Sequence, residues 1–391
     1  MANENNVIEK SDWVSNFTLI GEAKVNDYTF KIDERSQKSS WVYNSMNIGI
    51  DCGEKFGAVF CELIGGYSED RENVIYAHGK DEDGRDDFSQ RITVDWEDRL
   101  NEDVLESIGD LCFITVGLEK TDKGKTYYKN FLSAYDAIAY AQEHIEDGMV
   151  VNVRGRLQYS IYNDNVQVRK TIQSIVLSNV DDSSKYVARF TQSVLLDKDS
   201  ASLKDVDKDK GVMYVDARVL DYVKEINGVE IKGQYPYPYT FEFPMDLTKP
   251  DLCKKIYEKL FKVKKNVRQV TFDGEFVEGG AVVQATWDDV PDDIKDLVEI
   301  GVYSKEEALE KCTANGSRER RMLLKKPYIK LTSNDKIPVI QVFDDKYTED
   351  ELVIDIGSAE EDEEELPFDE DKSSGESSDD GDNALSWLDE L

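Results

Sequence analysis

Residues Gly117–Thr126 run GLEKTDKGKT, a strand followed by Gly-Lys-Thr, which is this chain's nearest approach to a phosphate-binding loop. Such a loop needs glycine at position 119 to pair with Gly124, because bare backbone amides must cradle the phosphates. Position 119 is Glu119, whose charge repels them. Acidic clusters at Asp81-Glu82-Asp83 and Asp86-Asp87 suggest magnesium for a nuclease, but no lysine-supported pair on neighbouring strands accompanies them. The histidines are His78 and His144, and Cys52, Cys61, Cys112, Cys253 and Cys312 include no C-x-x-C pair. A zinc site or a His-based triad therefore has little to draw on. The expectation is a non-enzymatic protein with no catalytic residue, metal or cofactor.

Binding chemistry is better supplied. A single-stranded nucleic acid offers a line of phosphates and exposed base faces, and holding it takes a basic groove with aromatic stacking platforms. In Val151–Tyr162, Arg154, Arg156 and Tyr162 fall on the polar face of an alternating strand. Arg169 and Lys170 sit on the return strand; being adjacent they point to opposite faces, so only one shares that surface. Lys125, Tyr127, Tyr128 and Lys129 interleave basic and aromatic residues before a helix, and Trp41 and Tyr43 point to one side of an early strand. The competing reading is ordinary: strand aromatics often belong to a core, and arginines on a barrel face are often only solvated. Gln234-Tyr235-Pro236-Tyr237-Pro238-Tyr239 is an extended run that either prolongs the strand path, contacts a partner or covers a sheet edge.

The charge is segregated. The 391 residues hold 48 Lys+Arg against 82 Asp+Glu, a net −34. Residues 360–391 alone carry 15 acidic residues and one lysine, Lys372. This Ser/Gly/acidic run cannot bury enough apolar area to fold by itself, and it reads as a disordered tail. On composition alone it could simply solubilise the chain, but Leu366, Phe368, Leu385, Trp387, Leu388 and Leu391 within it look more like anchors for a partner's pocket. Against the acidic average, residues 151–178, 253–268 and 318–330 gather positive charge. No apolar run is long enough to span a membrane. The start lacks a signal-peptide pattern, and the odd cysteine set fits reduced thiols, so a soluble cytoplasmic protein is expected.

Behind these residues stand mostly strands. Strand candidates lie at 17–25, 41–52, 57–64, 73–78, 91–96 and 111–118. Ser133 can cap a helix with Asp136 as its reciprocal partner; Ala134, Ile138, Ala141 and Ile145 follow at helical spacing, and Gly148 ends it. Two strands come next: 151–162, with Val151, Val153, Leu157, Tyr159 and Ile161 on one face and Gly155 aligned to it, then 166–177. The order recurs more loosely, with strands at 187–196, 212–223 and 239–243, a helix at 251–263, strands at 267–276 and 281–286, an acidic helical stretch at 288–312 and strands at 327–343.

A meander, a helix and two further strands, the first with a glycine, is the order of the OB-fold, a five-stranded barrel. The fold class expected is mainly β: tandem OB-fold-like barrels, each with one plug helix, and an acidic tail. The units are residues 1–197, a linker at 198–210, a second OB-like domain at 211–347 and the tail at 348–391.

Residues Glu146–Leu177, EDGMVVNVRGRLQYSIYNDNVQVRKTIQSIVL, resemble the helix end and last two strands of bacterial and phage single-stranded DNA-binding proteins. Gly148, Val151, Val153, Gly155 and Leu157 carry the match, and the acidic tail with an apolar end is similar too. The chain departs from the bacterial form in its length and in its Trp-Leu-Asp-Glu-Leu ending, which suggests a long, phage-type form in a host cytoplasm. The resemblance implies sequence-tolerant coating of single-stranded DNA in replication, recombination and repair. It further implies recruitment of replication or recombination proteins through the tail, and no membrane. The alternative is an acidic protein-binding adaptor or DNA-mimic inhibitor, for which Arg154, Arg156 and Arg169 would be dispensable.

Overall fold

Period-two alternation of apolar and polar residues builds the first half of the chain, and the pairing of its strands closes them into a ring. The computed structural model describes residue 8 and residues 10–162, 165–226, 229–278, 320–331 and 337–353, with residues 282–283, 295, 298, 304–305 and 314–315 in between. Strand β1 (Ser15–Lys24) is followed by β2 (Phe30–Arg35), β3 (Trp41–Asp51) and β4 (Ala58–Ser68). A hairpin arm, β5 (Val74–Lys80) and β6 (Asp86–Asp95), leads to helix α1 (Glu102–Glu106) and a second hairpin, β7 (Ile114–Lys120) and β8 (Thr126–Phe131). Helix α2 (Ala134–His144) precedes β9 (Val150–Tyr162) and β10 (Asn165–Leu177).

β1 pairs antiparallel with β3, β3 with β4 and β9 with β10; β10 lies parallel to β4, and β9 returns antiparallel to β1. The ring β1-β3-β4-β10-β9 with a helix between its third and fourth strands is the OB topology. Helix α2 buries Ala137, Ile138 and Ala141. Ser133 Oγ accepts the Tyr135 N–H at 3.1 Å, as a cap should. Asp136 does not complete a capping box: its carboxylate takes both ends of the Arg99 guanidinium, at 2.8 and 3.1 Å.

The second ring repeats the first. Strand β11 (Val187–Leu196) is followed by β12 (Val212–Ile226) and β13 (Val229–Pro244). Then come helix α3 (Pro250–Ile256), running into a π-turn at Tyr257–Phe261, and β14 (Val267–Glu278). Two-residue strands β15 (Val282–Val283) and β16 (Ala314–Asn315) pair with each other before β17 (Arg320–Pro327). β18 (Ile329–Leu331) and β19 (Pro338–Ile340) form a small hairpin, and β20 (Val342–Tyr347) pairs with β14.

The pairings β11–β12, β12–β13, β13–β17 (parallel), β17–β14 and β14–β11 reproduce the ring order strand for strand. The fifth strand is thus Arg320–Pro327, not the expected 281–286, most of which lies outside the described residues, as does most of 288–312. β11 closes this ring although it precedes the charged stretch 198–210, in which Ala201 and Asp207 bridge to Val215 and Val212. The protein is mainly β, two OB-type barrels in tandem.

The two rings join through their first strands. β1 and β11 pair antiparallel from Ser15↔Gln192 to Ile20↔Val187, so one sheet runs through both barrels. Phe17, Ile48, Val153, Phe190, Phe241 and Phe272 belong to one continuous buried core. Tyr159 of β9 meets Tyr237 and Tyr239 of β13 with ring centroids 6.5 and 5.7 Å apart. The Tyr-Pro repeat is part of β13, paired along its length with β12: Tyr235, Tyr237 and Tyr239 line one face of the strand and pack at the junction.

Candidate nucleic-acid interface

On β3 the odd-numbered residues point away from the core, which places Trp41, Tyr43 and Asn47 on one outer face. Trp41 and Tyr43 stack on each other, centroids 4.6 Å apart and planes 16° from parallel. Tyr43 is buried beneath that stack and Trp41 is half-exposed. About four residues, or roughly 13 Å, further along the strand, the face opens into a cavity of ≈ 470 Å³ between the two barrels. Its first wall is Asn47 of β3, Phe60 and Glu62 of β4, and the stem of the β9–β10 hairpin with Tyr162 and Arg169. Its second wall comes from the other barrel: Tyr239 of β13 with Arg320 and Arg321 of β17. The face of the second and third strands, together with the loop joining the fourth and fifth, is where OB barrels take oligonucleotides.

The electrostatics of the groove follow from its burial. Glu62 lies 3.9 Å from Arg169, yet burial raises its carboxyl above the ordinary value, the arginine opposing only part of the shift. Burial, with Glu278 and Glu242 nearby, pushes the Tyr239 hydroxyl up to about 12, so it stays a neutral donor. Arg321 grips Glu242 through Nε at 2.8 and 3.0 Å, and Nη2 adds a further bond to the same carboxylate. Arg320, beside it, is exposed. Lys170 takes the opposite direction from Arg169, as strand alternation requires. It is 8% exposed and forms an ion pair with Glu278 of the second barrel, also buried; both line the same cavity, and the pair ties the barrels together there.

The other residues expected at one site are spread over the first barrel. Arg154 and Arg156 are exposed on β9. Arg154 borders a second groove, ≈ 490 Å³, on the outer face running β9-β1-β11-β14-β17, where Arg189, Lys325 and Lys326 join it beside Asp273 and Glu275. Glu275 already engages Lys55 at 2.9 Å and Lys325 at 3.5 Å. Lys125, Tyr127, Tyr128 and Lys129 stand on the β7–β8 hairpin, which joins β10 at Ser174–Val176, away from Arg169. Tyr127 and Tyr128 are 49% and 59% exposed, and Lys129 lies over the Tyr140 and Phe131 rings at 4.7 and 5.3 Å. The anchors Leu366, Phe368, Leu385, Trp387, Leu388 and Leu391 lie outside the described residues.

Phe60, Tyr239 and Arg320 were absent from the sequence-based site. Arg320 belongs to a basic segment visible in the sequence, but nothing local shows that β17 faces β4 across a cleft. No helix among the described residues is long and apolar enough to cross a membrane.

A family model described as YorF matches residues 77–268, from the β5–β6 arm to the start of β14. Similar solved structures are the wild-type single-stranded DNA binding protein from Thermus aquaticus and a deletion mutant of it. Each matches at 10% identity and a TM-score of 0.28, over 68% of this chain and 87% of that one. No curated protein sequence matches the chain significantly. The assignment of two OB barrels rests on the strand pairings alone.

Proposed function

We propose that this chain binds single-stranded DNA without sequence preference, along the outer face of β3 and β4 and through the groove between the barrels. One observation carries the reading: stacked Trp41 and Tyr43 and the half-exposed ring of Phe60 share that face with Arg169, and Arg320 faces them from the second barrel. Bases stack on the rings, each worth about 1–3 kcal/mol by alanine substitution, and stacking tolerates any sequence because every base has a π-face. Phosphates pass the guanidinium groups. A duplex hides its base faces and gains nothing from such platforms.

In this reading the exposed cations of the outer groove, Arg154, Arg189 and Lys326, take phosphates as the strand leaves the cleft. The acidic tail recruits replication or recombination proteins through Leu366, Phe368 and the Trp387 cluster, and phosphate displaces it from the basic surfaces. The test is binding of the full chain to labelled oligo-dT and to a matched duplex, from about 20 to about 500 mM salt. A salt-sensitive preference for the single strand, with tryptophan quenching, is the expected result. Equal or absent binding at low salt, with and without residues 360–391, would overturn it and favour a protein-binding adaptor.

A further inference from the structure

The hairpin arm gathers three residues that sequence spacing keeps apart. His78 stands on β5, Asp86 on β6, and Cys112 ends the 3₁₀ turn Asp110–Cys112 just before β7. Asp86 Oδ1 accepts the Leu111 backbone N–H at 2.9 Å and faces His78 Nε2 at 2.7 Å. Those two donors, the Leu111 amide first, hold the Asp86 carboxyl below the usual carboxylate range. An ionised carboxylate only accepts, so the imidazole proton belongs on Nε2 and the Nδ1 lone pair is free. Cys112 Sγ rests against the imidazole face, 3.2 Å from Nδ1 and 3.8 Å from Nε2, and the His78 backbone N–H points at the same sulfur from 3.4 Å.

These are the parts of an activated nucleophile: a thiol, an imidazole nitrogen 3.2 Å from it, and a third group orienting the base. Among the described residues no group of His, Cys, Asp or Glu is arranged to hold a metal ion. The packing is specific to the arrangement. A Cβ at Gly109 would lie 2.5 Å from Asp86 Oδ1 and 2.6 Å from His78 Nε2, so only glycine lets carboxylate and imidazole meet there. Phe88, 68% exposed, covers the imidazole with its ring centroid 4.4 Å away. The other charges nearby are Asp87, Arg91, in register with His78 on β6, and Lys80, paired with Asp110 at 2.9 Å. Cys112 is partly exposed, whereas Cys52, Cys61 and Cys253 are buried; burial pushes the Cys52 thiol up to about 12 and Cys61 higher still.

We propose that Cys112 is a modification site, a nucleophilic thiol with His78 as its base and Asp86 as positioning residue, that takes up low-molecular-weight disulfides as mixed disulfides. As Cys112 turns Sγ from the ring face toward the Nδ1 lone pair, the thiol proton passes to His78 Nδ1 and the sulfur attacks one sulfur of RS–SR. The Cys112–S bond forms, the S–S bond breaks, and the departing RS⁻ recovers the proton. One disulfide is consumed and one is made, so no other oxidant enters.

The test treats the full chain with 5,5′-dithiobis(2-nitrobenzoate) at neutral pH, follows the released thiol and maps the adduct by peptide mass, which separates Cys112 from Cys312. Cys112 is expected to react at least about ten-fold faster than free glutathione, and His78→Gly to lose about that factor and regain part of it with added imidazole. Asp86→Asn slows the wild-type chain but adds nothing in the His78→Gly background, which a general loosening of the arm would not produce. A Cys112 rate no greater than that of glutathione overturns the proposal, and this comparison needs no variant to fold. So does a His78→Gly chain, folded by circular dichroism, that reacts like the wild type.

Discussion

Phe17 and Phe190 are direct cross-strand partners where the two barrels meet, and each also lies opposite a glycine of its own ring, Gly155 and Gly274. The four residues define an internal two-fold relationship: first strand on first strand, each phenylalanine occupying the space a side chain on its ring's fourth strand would take. The surrounding residues repeat as well. Val151-x-Val153-x-Gly155-x-Leu157 corresponds to Val270-x-Phe272-x-Gly274-x-Phe276, and the register with the fifth strand slips beside both glycines.

A Cβ built on Gly155 would stand 1.9 Å from the Thr171 carbonyl oxygen and 2.7 Å from the Phe17 ring; one on Gly274 would stand 2.1 Å from the Phe190 ring. Either alanine must push strand or ring aside. Overpacking of this kind costs about 1–3 kcal/mol or more. Gly155→Ala is expected to cost more, because its nearest obstacle is backbone. Urea unfolding of the two variants checks the order.

Lys170 and Glu278 make a buried ion pair between barrels. Removing one partner leaves the other charge buried and unpaired, so Lys170→Met is expected to destabilise the chain by about 3–5 kcal/mol. Replacing both, with Glu278→Leu, should recover most of that loss. Thermal or denaturant unfolding of the two single variants and the double one measures the coupling. A double variant as weak as the worse single one would show that the pair does not act as a unit.

How much of this was legible beforehand depends on whether the signal is local. The alternation in Val151–Tyr162 and the glycine within it mark the fourth strand of the first barrel directly. Gly274 sits in the same pattern, but phenylalanines in place of valine and leucine hide the likeness, and residues 279–319 separate β14 from its partner β17. The adjacency of Arg169 and Lys170 requires that one turn inward without saying which. Phe60 and Arg320 line one cavity only because the barrels are clasped through β1 and β11, a relationship of chain segments that no local window contains. Cys112, His78 and Asp86 are likewise brought together by the arm and the turn after it, so a chain with two histidines still gathers a thiol, an imidazole and a carboxylate at one place.

Glu62 gives the groove a pH dependence. Burial raises its carboxyl above the unfolded value of 4.5. A carboxyl shifted this way binds its proton more tightly when folded. Its contribution to stability is therefore full below pH 4.5 and is lost as pH rises through the native value. Glu62→Gln keeps the neutral form throughout, so the variant should match the wild type in acid and exceed it at neutral pH. Stability curves across that window test the sign, and equal stability of the two chains at neutral pH would remove Glu62 as the cause.

The same carboxylate should oppose DNA, because it stands on one wall of the groove beside Arg169. At neutral pH an ionised Glu62 repels a phosphate near Arg169, so Glu62→Gln is expected to tighten oligo-dT binding while Arg169→Ala and Arg320→Ala weaken it. Each lost phosphate contact should lower the slope of log affinity against log salt by about 0.7 on a single strand. Phe60→Ala should act differently: a loss of about 1–3 kcal/mol in affinity with the salt slope unchanged, because stacking releases no counterions. Arg154→Ala and Arg189→Ala, on the outer face, are expected to matter for long oligonucleotides and little for short ones that fill only the cleft. Fluorescence titrations with short and long oligo-dT at several salt concentrations measure all of these. If the Arg154 and Arg189 variants lose as much affinity for short strands as the Arg169 and Arg320 variants do, then the strand lies first on the outer face and the cleft is secondary.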